Sequence, residues 1–140
     1  MTRKGPSKRV DKAYGGRRLE VARAFLKAAQ DESALADDGA IGNALVAQIV
    51  NAAIAYADAM TAALAGSVNQ QDHAAVVKAL RDALGERLPD VQARRLRRML
   101  AEKDPAQYGA RLLRIKDARR LLADLEEFAR WAEAEMARRR

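Results

Sequence analysis

The sequence contains no cysteine, a single histidine, three prolines and only 4% aromatic residues. Without a thiol, the chain has no disulfide bond, no zinc–thiolate site and no cysteine nucleophile. The lone histidine, His73, supplies at most one imidazole ligand to a metal. Glycine-rich phosphate loops and serine–histidine–aspartate motifs are also missing. We therefore expect neither a metal nor a cofactor.

The residues that are abundant indicate a small helical domain. The 140 residues suffice for one domain with one modest core. The apolar residues are mainly alanine, leucine and valine, and alanine and leucine are strong helix formers. We predict an all-α, up-and-down bundle of four to five helices over residues 17–137. Basic tails are predicted at both ends, a disordered one at residues 1–16 and a short one at residues 138–140.

A long second helix dominates this prediction. Apolar spacing indicates a first helix from about Arg17 to Ala36, and Asp37 and Asp38 then offer an N-cap for the second. The second helix extends to about Ala65 and is apolar on nearly every face, so we expect it to be central. Polar residues recur within it, which favours the buried helix of a soluble, cytoplasmic protein over a membrane span.

The remaining helices are shorter or lie closer to the surface. A third helix is predicted to end at Gly85, and a fourth to start near Pro89, which suits a first turn. Residues 103–114 contain proline and glycine and are predicted to form a loop. Apolar residues at helical spacing then indicate a last helix from about Lys116 to Ala137.

The positive charge is concentrated at the ends of the chain. Of the formal net charge of +7, residues 1–18 contribute seven basic residues and one acid, and residues 138–140 add three arginines, so the body carries −2. Such tails bind polyanions in a salt-dependent manner, or they are merely solvated. The same two interpretations apply to an arginine arc on the fourth helix. The candidate nucleic-acid-binding residues are Arg3, Lys4, Lys8, Arg9, Arg17, Arg18, Arg94 and Arg98.

The candidate catalytic residues lie around the polar turn after the second helix. Asp58 has no basic neighbour within its helix, so if it is buried it needs a partner from elsewhere. It precedes His73 by fifteen residues across the turn, and a histidine near a carboxylate suits acid–base catalysis. In the alternative interpretation, Asn69 and Asp72 cap the third helix and His73 packs beside them.

These segments resemble bacterial HEPN-domain proteins of the small stand-alone actinobacterial type, over roughly residues 19–136. The resemblance rests on the alanine-rich AAIAYADAMTAALAG, on QQDHAAVVKAL, on the KDPAQYGARLL loop with Lys103 and Tyr108, and on the amphipathic DARRLLADLEEFARWAEA. It implies a bundle of four or five helices that is often dimeric. It also implies a toxin–antitoxin or defence context, in which many members are metal-independent endoribonucleases.

The ribonuclease motif of that family is incomplete in this sequence. The motif consists of an arginine, a polar residue, a short spacer and a histidine; His73 matches the histidine and Asn69 the polar residue. Val68 takes the place of the arginine, and a valine has no charge with which to hold a phosphate. We therefore expect a non-catalytic HEPN-like homodimer with an RNA or protein partner and no membrane partner. The alternative is a ribonuclease that uses His73, Asn69 and Asp58 with an arginine from elsewhere.

Overall fold

The computed structural model describes residues 7–69 and 75–138 of the chain. Its helices are α1 Lys12–Leu35, α2 Asn43–Ala65, α3 Val76–Leu84, α4 Asp90–Ala101, the short α5 Lys103–Gln107 and α6 Ile115–Ala137. Two three-residue strands, β1 Ser7–Arg9 and β2 Ser67–Asn69, pair antiparallel. The prediction of an all-α bundle is confirmed.

Helix α2 lies at the centre of the bundle, as predicted. Helices α1, α3, α4, α5 and α6 all pack against it, and its residues from Leu45 to Ala62 are almost all buried. Small side chains allow α1 and α2 to pack closely. A Cβ atom added to Gly15 would lie 3.1 Å from the carbonyl oxygen of Ala59. The core around α2 is completed by larger side chains such as Tyr56 and Phe128.

Within the described residues, α2 is also the one helix that is long and apolar enough to cross a membrane. Its most apolar window has a mean hydropathy of 1.3, and 72% of that window is buried by the rest of the protein. Burial of this kind is what the core helix of a soluble protein shows, because its apolar faces are already covered by neighbouring helices.

The start of α1 differs from the prediction. The helix begins at Lys12, where the side chain of Asp11 accepts a hydrogen bond from the Tyr14 amide at 2.9 Å and serves as the N-cap. Residues 7–9 form β1 and residues 12–16 belong to α1, whereas the prediction placed residues 1–16 in a disordered tail. Residues 1–6 lie outside the described part of the chain.

The start of α2 also differs, since it lies at Asn43 and not at the predicted aspartate cap. The preceding segment is held by the segment before α6. The Gly42 amide donates to the Leu113 carbonyl at 2.6 Å, and Ile41 forms an isolated bridge with Arg114. Asp38 is an exposed partner of the Arg119 guanidinium, at 2.9 Å. The loop between the first two helices is therefore longer than its sequence suggested.

Most of the other predicted boundaries agree with the structure, although α3 begins at Val76 and Asn69, offered as its cap, lies in β2. Gly66 adopts the left-handed conformation, with φ 67°, after α2, and Gly85 has φ 60° after α3. Pro89 is the N-cap residue of α4, and α6 begins one residue before the predicted Lys116. The predicted loop at residues 103–114 contains the single-turn helix α5.

Candidate functional site

The end of α2 carries a small antiparallel sheet that joins the basic N-terminal segment to the motif segment. After Gly66 turns the chain, its carbonyl accepts a hydrogen bond from the Val10 amide at 3.0 Å. In the sheet, Arg9 lies opposite Ser67, Lys8 opposite Val68, and Ser7 opposite Asn69. Strand pairing therefore fixes the first described basic residues beside the stretch in which the motif arginine is missing.

Val68 is a packing residue in this sheet. Its side chain is only 3% exposed, although β2 lies at the edge of the bundle. A valine suits this position because β-branched side chains pack well on a strand, and burial removes its apolar surface from water. The position that the HEPN resemblance matches to the motif arginine is therefore occupied by a buried apolar side chain.

Asp58 is buried in α2 and takes its counter-charge from α1. Only 9% of Asp58 is exposed, and a guanidinium nitrogen of Arg18 lies 3.6 Å from its carboxylate. Gly15, one turn before Arg18, lies close to the backbone of α2 at Ala59. Because Arg18 belongs to α1, the buried Asp58 has a partner from another element, as expected.

The Asp58–Arg18 pair is loosely made. Burial raises the pKa of Asp58 to about 6, and attraction to Arg18 offsets only part of this increase. The Arg18 Nε atom is buried and has no hydrogen-bond partner. The arginine is thus used inside the α1–α2 interface, where it offers little of its charge to a ligand.

Several candidate residues lie outside the described part of the chain. These are Arg3, Lys4, Asp72 and His73, together with the side chain of Asn69. The predicted proximity of Asp58 and His73 consequently stays a prediction. Among the described residues, no group of three histidine, aspartate or glutamate side chains is placed to hold a metal ion.

The described cations differ sharply in their ion pairing. Arg17 pairs with Asp11 at 3.4 Å, and Arg98 makes two hydrogen bonds to Asp124 at 3.0 and 3.2 Å. Most other lysines and arginines have a comparable carboxylate partner. Of the cations whose side chains are described, those with no acidic partner among the described residues are Lys8, Arg9, Arg94, Arg97 and Lys116.

Four of these cations form two small exposed clusters of positive charge. Lys8 and Arg9 are consecutive on β1, so their side chains lie on opposite faces of the strand, while Arg94 and Arg97 lie one turn apart on α4. No acidic residue occurs between Ala59 and Asn69, so β2 brings no counter-charge to the first cluster. Unpaired cations that are adjacent on a surface give a local positive potential that attracts polyanions.

Sequence reasoning selected Arg98 and passed over Arg97, although both belong to the arginine arc. The difference is decided by Asp124 of α6, which holds Arg98 and also approaches Arg95 at 3.8 Å. No spacing rule within α4 reveals a partner on another helix. Arg97 is the residue before Arg98 on α4. Asp124 pairs with Arg98, and the Arg97 side chain remains exposed.

A second polar cluster lies at a cleft of about 310 Å³ between α1 and α6. Arg23 donates two hydrogen bonds of 2.7 Å to Glu133, and the Tyr56 hydroxyl lies 3.5 Å from the same carboxylate. Burial raises the pKa of Tyr56 to about 12, so the phenol stays protonated at neutral pH. These charges satisfy one another, which makes the cleft a structural contact between helices.

No family model matches this sequence, and no curated protein matches it either.

Proposed function

We propose that the protein is a non-catalytic HEPN-like protein that binds RNA through the basic strand β1. The observation that carries this proposal is the pairing of β1 with β2, which anchors Lys8 and Arg9 to the domain. Both side chains are exposed and lack an acidic partner among the described residues. An anchored cation loses less conformational freedom on binding a phosphate than one on a free tail, so its contact contributes more to affinity.

The absence of catalysis is supported by the use of the nearby side chains. Val68 is buried where the motif would supply a guanidinium, and Arg18 is engaged by Asp58. A ribonuclease needs a preorganised positive charge at the scissile phosphate. Lys8 and Arg9 provide charge at the edge of the sheet, which suits contacts along a phosphate backbone.

The proposal predicts that Lys8→Gln/Arg9→Gln loses RNA affinity. Each phosphate contact to a single strand contributes a factor of about [salt] to the power −0.7, or about fivefold at ~0.1 M salt. The double variant should therefore bind labelled oligouridylate about 25-fold more weakly, as measured by fluorescence anisotropy. Its salt slope should fall by about 1.4.

The control is Lys27→Gln/Lys78→Gln, which removes two exposed lysines that are paired with Asp31 and Asp82. This variant has the same net charge as the test variant, so it should bind nearly as well as the wild type. Equal losses in both double variants would show that only total charge matters, and the proposed role of β1 would then be rejected.

A metal-independent ribonuclease is the second candidate, because the sheet brings a basic strand beside the segment in which the motif arginine is missing. Arg9 lies across from Ser67, one residue before the valine that replaces the motif arginine. A guanidinium from β1 would then act in place of the missing one, together with His73 and Asn69. This candidate predicts cleavage of RNA in EDTA that is lost in both His73→Ala and Arg9→Ala. Cleavage that survives His73→Ala would come from a contaminant.

We also propose that the protein is a cytoplasmic homodimer that acts in a toxin–antitoxin or defence context. Support for self-association comes from exposed apolar side chains at the loops before α2 and α6. Ile41 is 54% and Leu112 69% exposed, and both line a cleft of about 340 Å³. Exposed apolar surface of this kind marks interaction sites. Light scattering that gives the mass of a single chain at micromolar concentration would refute the dimer.

A further inference from the structure

Helix α4 presents a second row of arginines, far along the chain from β1. Its buried face consists of Gln92, Ala93, Leu96 and Met99, which pack the helix against its neighbours. Arg94, Arg97 and Arg98 lie outside that face and are exposed. Because residues three and four apart are neighbours on a helix, the three guanidinium groups lie along one strip of surface.

The acid Asp124 fixes part of this row. It accepts two hydrogen bonds from Arg98 and lies 3.8 Å from Arg95, which also interacts with Glu127, so acids of α6 offset part of the positive charge on α4. The bidentate contact also holds the Arg98 guanidinium in one orientation. Arg94 and Arg97 make no ion pair with an acid among the described residues. The row is therefore net positive and partly preorganised.

The row is separate from the β1 surface. In the described part of the chain, α4 packs mainly on α6 and α2, whereas β1 packs on β2. The arginines of α4 and the cations of β1 therefore do not form one continuous surface. A single-stranded nucleic acid is flexible enough to contact two such separate surfaces.

The surroundings of the row favour a phosphate backbone over a protein as its ligand. Among the described residues of α4, Val91 is the one exposed large apolar side chain, with 39% of its surface accessible. Protein–protein interfaces require an apolar centre, which this surface does not offer. Tyr108 is the exposed aromatic residue of the described chain, and it lies in the loop beyond α5, so α4 itself offers no platform for stacking bases.

We infer that Arg94, Arg97 and Arg98 form a second phosphate-binding surface, which contacts the backbone of the same single-stranded RNA that β1 binds. The inference rests on the proposed RNA-binding function. Because the contacts are to phosphates, the surface should not distinguish sequences, and it should bind single-stranded DNA as well as RNA.

The test is the double variant Arg94→Gln/Arg97→Gln, which leaves the Arg98–Asp124 contact in place. Two lost phosphate contacts should weaken binding of labelled oligouridylate about 25-fold at ~0.1 M salt and lower the salt slope by about 1.4. Oligothymidylate and oligoadenylate should show the same loss. The matched control is Arg120→Gln/Arg130→Gln, which removes two exposed but ion-paired arginines of α6 and should bind like the wild type.

The outcomes separate this inference from the proposed function. If Arg94→Gln/Arg97→Gln binds like the wild type while Lys8→Gln/Arg9→Gln loses affinity, the α4 surface is rejected and the β1 surface stands. If only the α4 variant loses affinity, the role of β1 is rejected. If the α6 control loses as much RNA affinity, the loss reflects net charge alone, and the role of the α4 surface is rejected. A wild type that does not bind RNA at low salt overturns both.

Discussion

Replacing Val68 with arginine is expected to lower the free energy of unfolding by about 3 kcal/mol or more, and not to create a nuclease. The valine side chain is 3% exposed, and burial of such a side chain stabilises a fold by roughly 1.5–3 kcal/mol. An arginine at this position loses that contribution and places a charge where no acid is available from β2. Urea denaturation followed by circular dichroism measures the difference.

The control for this prediction is Val21→Arg, at a valine of α1 that is 37% exposed. A flexible arginine there reaches water, so the free energy of unfolding should change by less than about 0.5 kcal/mol. Equal stability of Val68→Arg and the wild type would show that position 68 accepts the motif arginine. A gain of RNA cleavage in the same variant would contradict the expectation that the packed position cannot hold a catalytic arginine, and it would show that the missing arginine alone accounts for the lack of catalysis.

The second large effect is a pH dependence that is removed by Asp58→Asn. The folded-state pKa of about 6 lies above the ordinary value of 3.8, so between about pH 4 and pH 6 the folded protein binds a proton more tightly than the unfolded chain does. Stability from this group is therefore present at low pH and is lost as the pH rises through 6. Linkage gives a loss of up to about 3 kcal/mol by pH 7.

In Asp58→Asn, the side chain is neutral at every pH, so this loss should disappear. The variant should match the wild type below about pH 4 and exceed it by up to about 3 kcal/mol at pH 7. The pKa already includes the attraction of Arg18 to the carboxylate. Asp31→Asn serves as the control, because Asp31 is 59% exposed and pairs with Lys27 at the surface. A variant that is less stable than the wild type at pH 7 would show that the ion pair outweighs the burial of Asp58.

The sequence predicted the helices where its apolar period was strong. The stripe of α6 and the nearly all-apolar α2 were found within a few residues, and glycine and proline marked the ends of α2, α3 and the start of α4. The start of α1 was missed because the pair Gly15 and Gly16 lowers helix propensity. Tertiary packing overrides that propensity, since Gly15 lies against the backbone of α2 at Ala59.

The small sheet was beyond sequence reasoning for a different reason. Strands of three residues, SKR and SVN, are too short to show an alternating pattern, and a basic segment next to a glycine-rich stretch is typical of a tail. Their pairing depends on the fold bringing the two segments together. The same holds for the ion pairs that select among the arginines, because Arg18 meets Asp58 and Arg98 meets Asp124 only across helices.

The sequence therefore identified the basic residues of the candidate interface, and the structure shows which of them have carboxylate partners. Arg18 and Arg98 were selected for their charge, and each has a carboxylate partner in the fold. Lys8, Arg9 and Arg94 were selected on the same basis and keep their charge free of such partners in the described chain. That distinction is what makes the mutational tests specific.

The central claim is that the protein binds RNA without cutting it. The most direct test incubates the wild-type protein with end-labelled single-stranded RNA in EDTA, follows binding by anisotropy from roughly 50 to 200 mM salt, and examines the same samples on a denaturing gel. Our account predicts binding that weakens steeply with salt and RNA that remains full length. Cleavage that is abolished by His73→Ala, or no binding at the lowest salt, would contradict it.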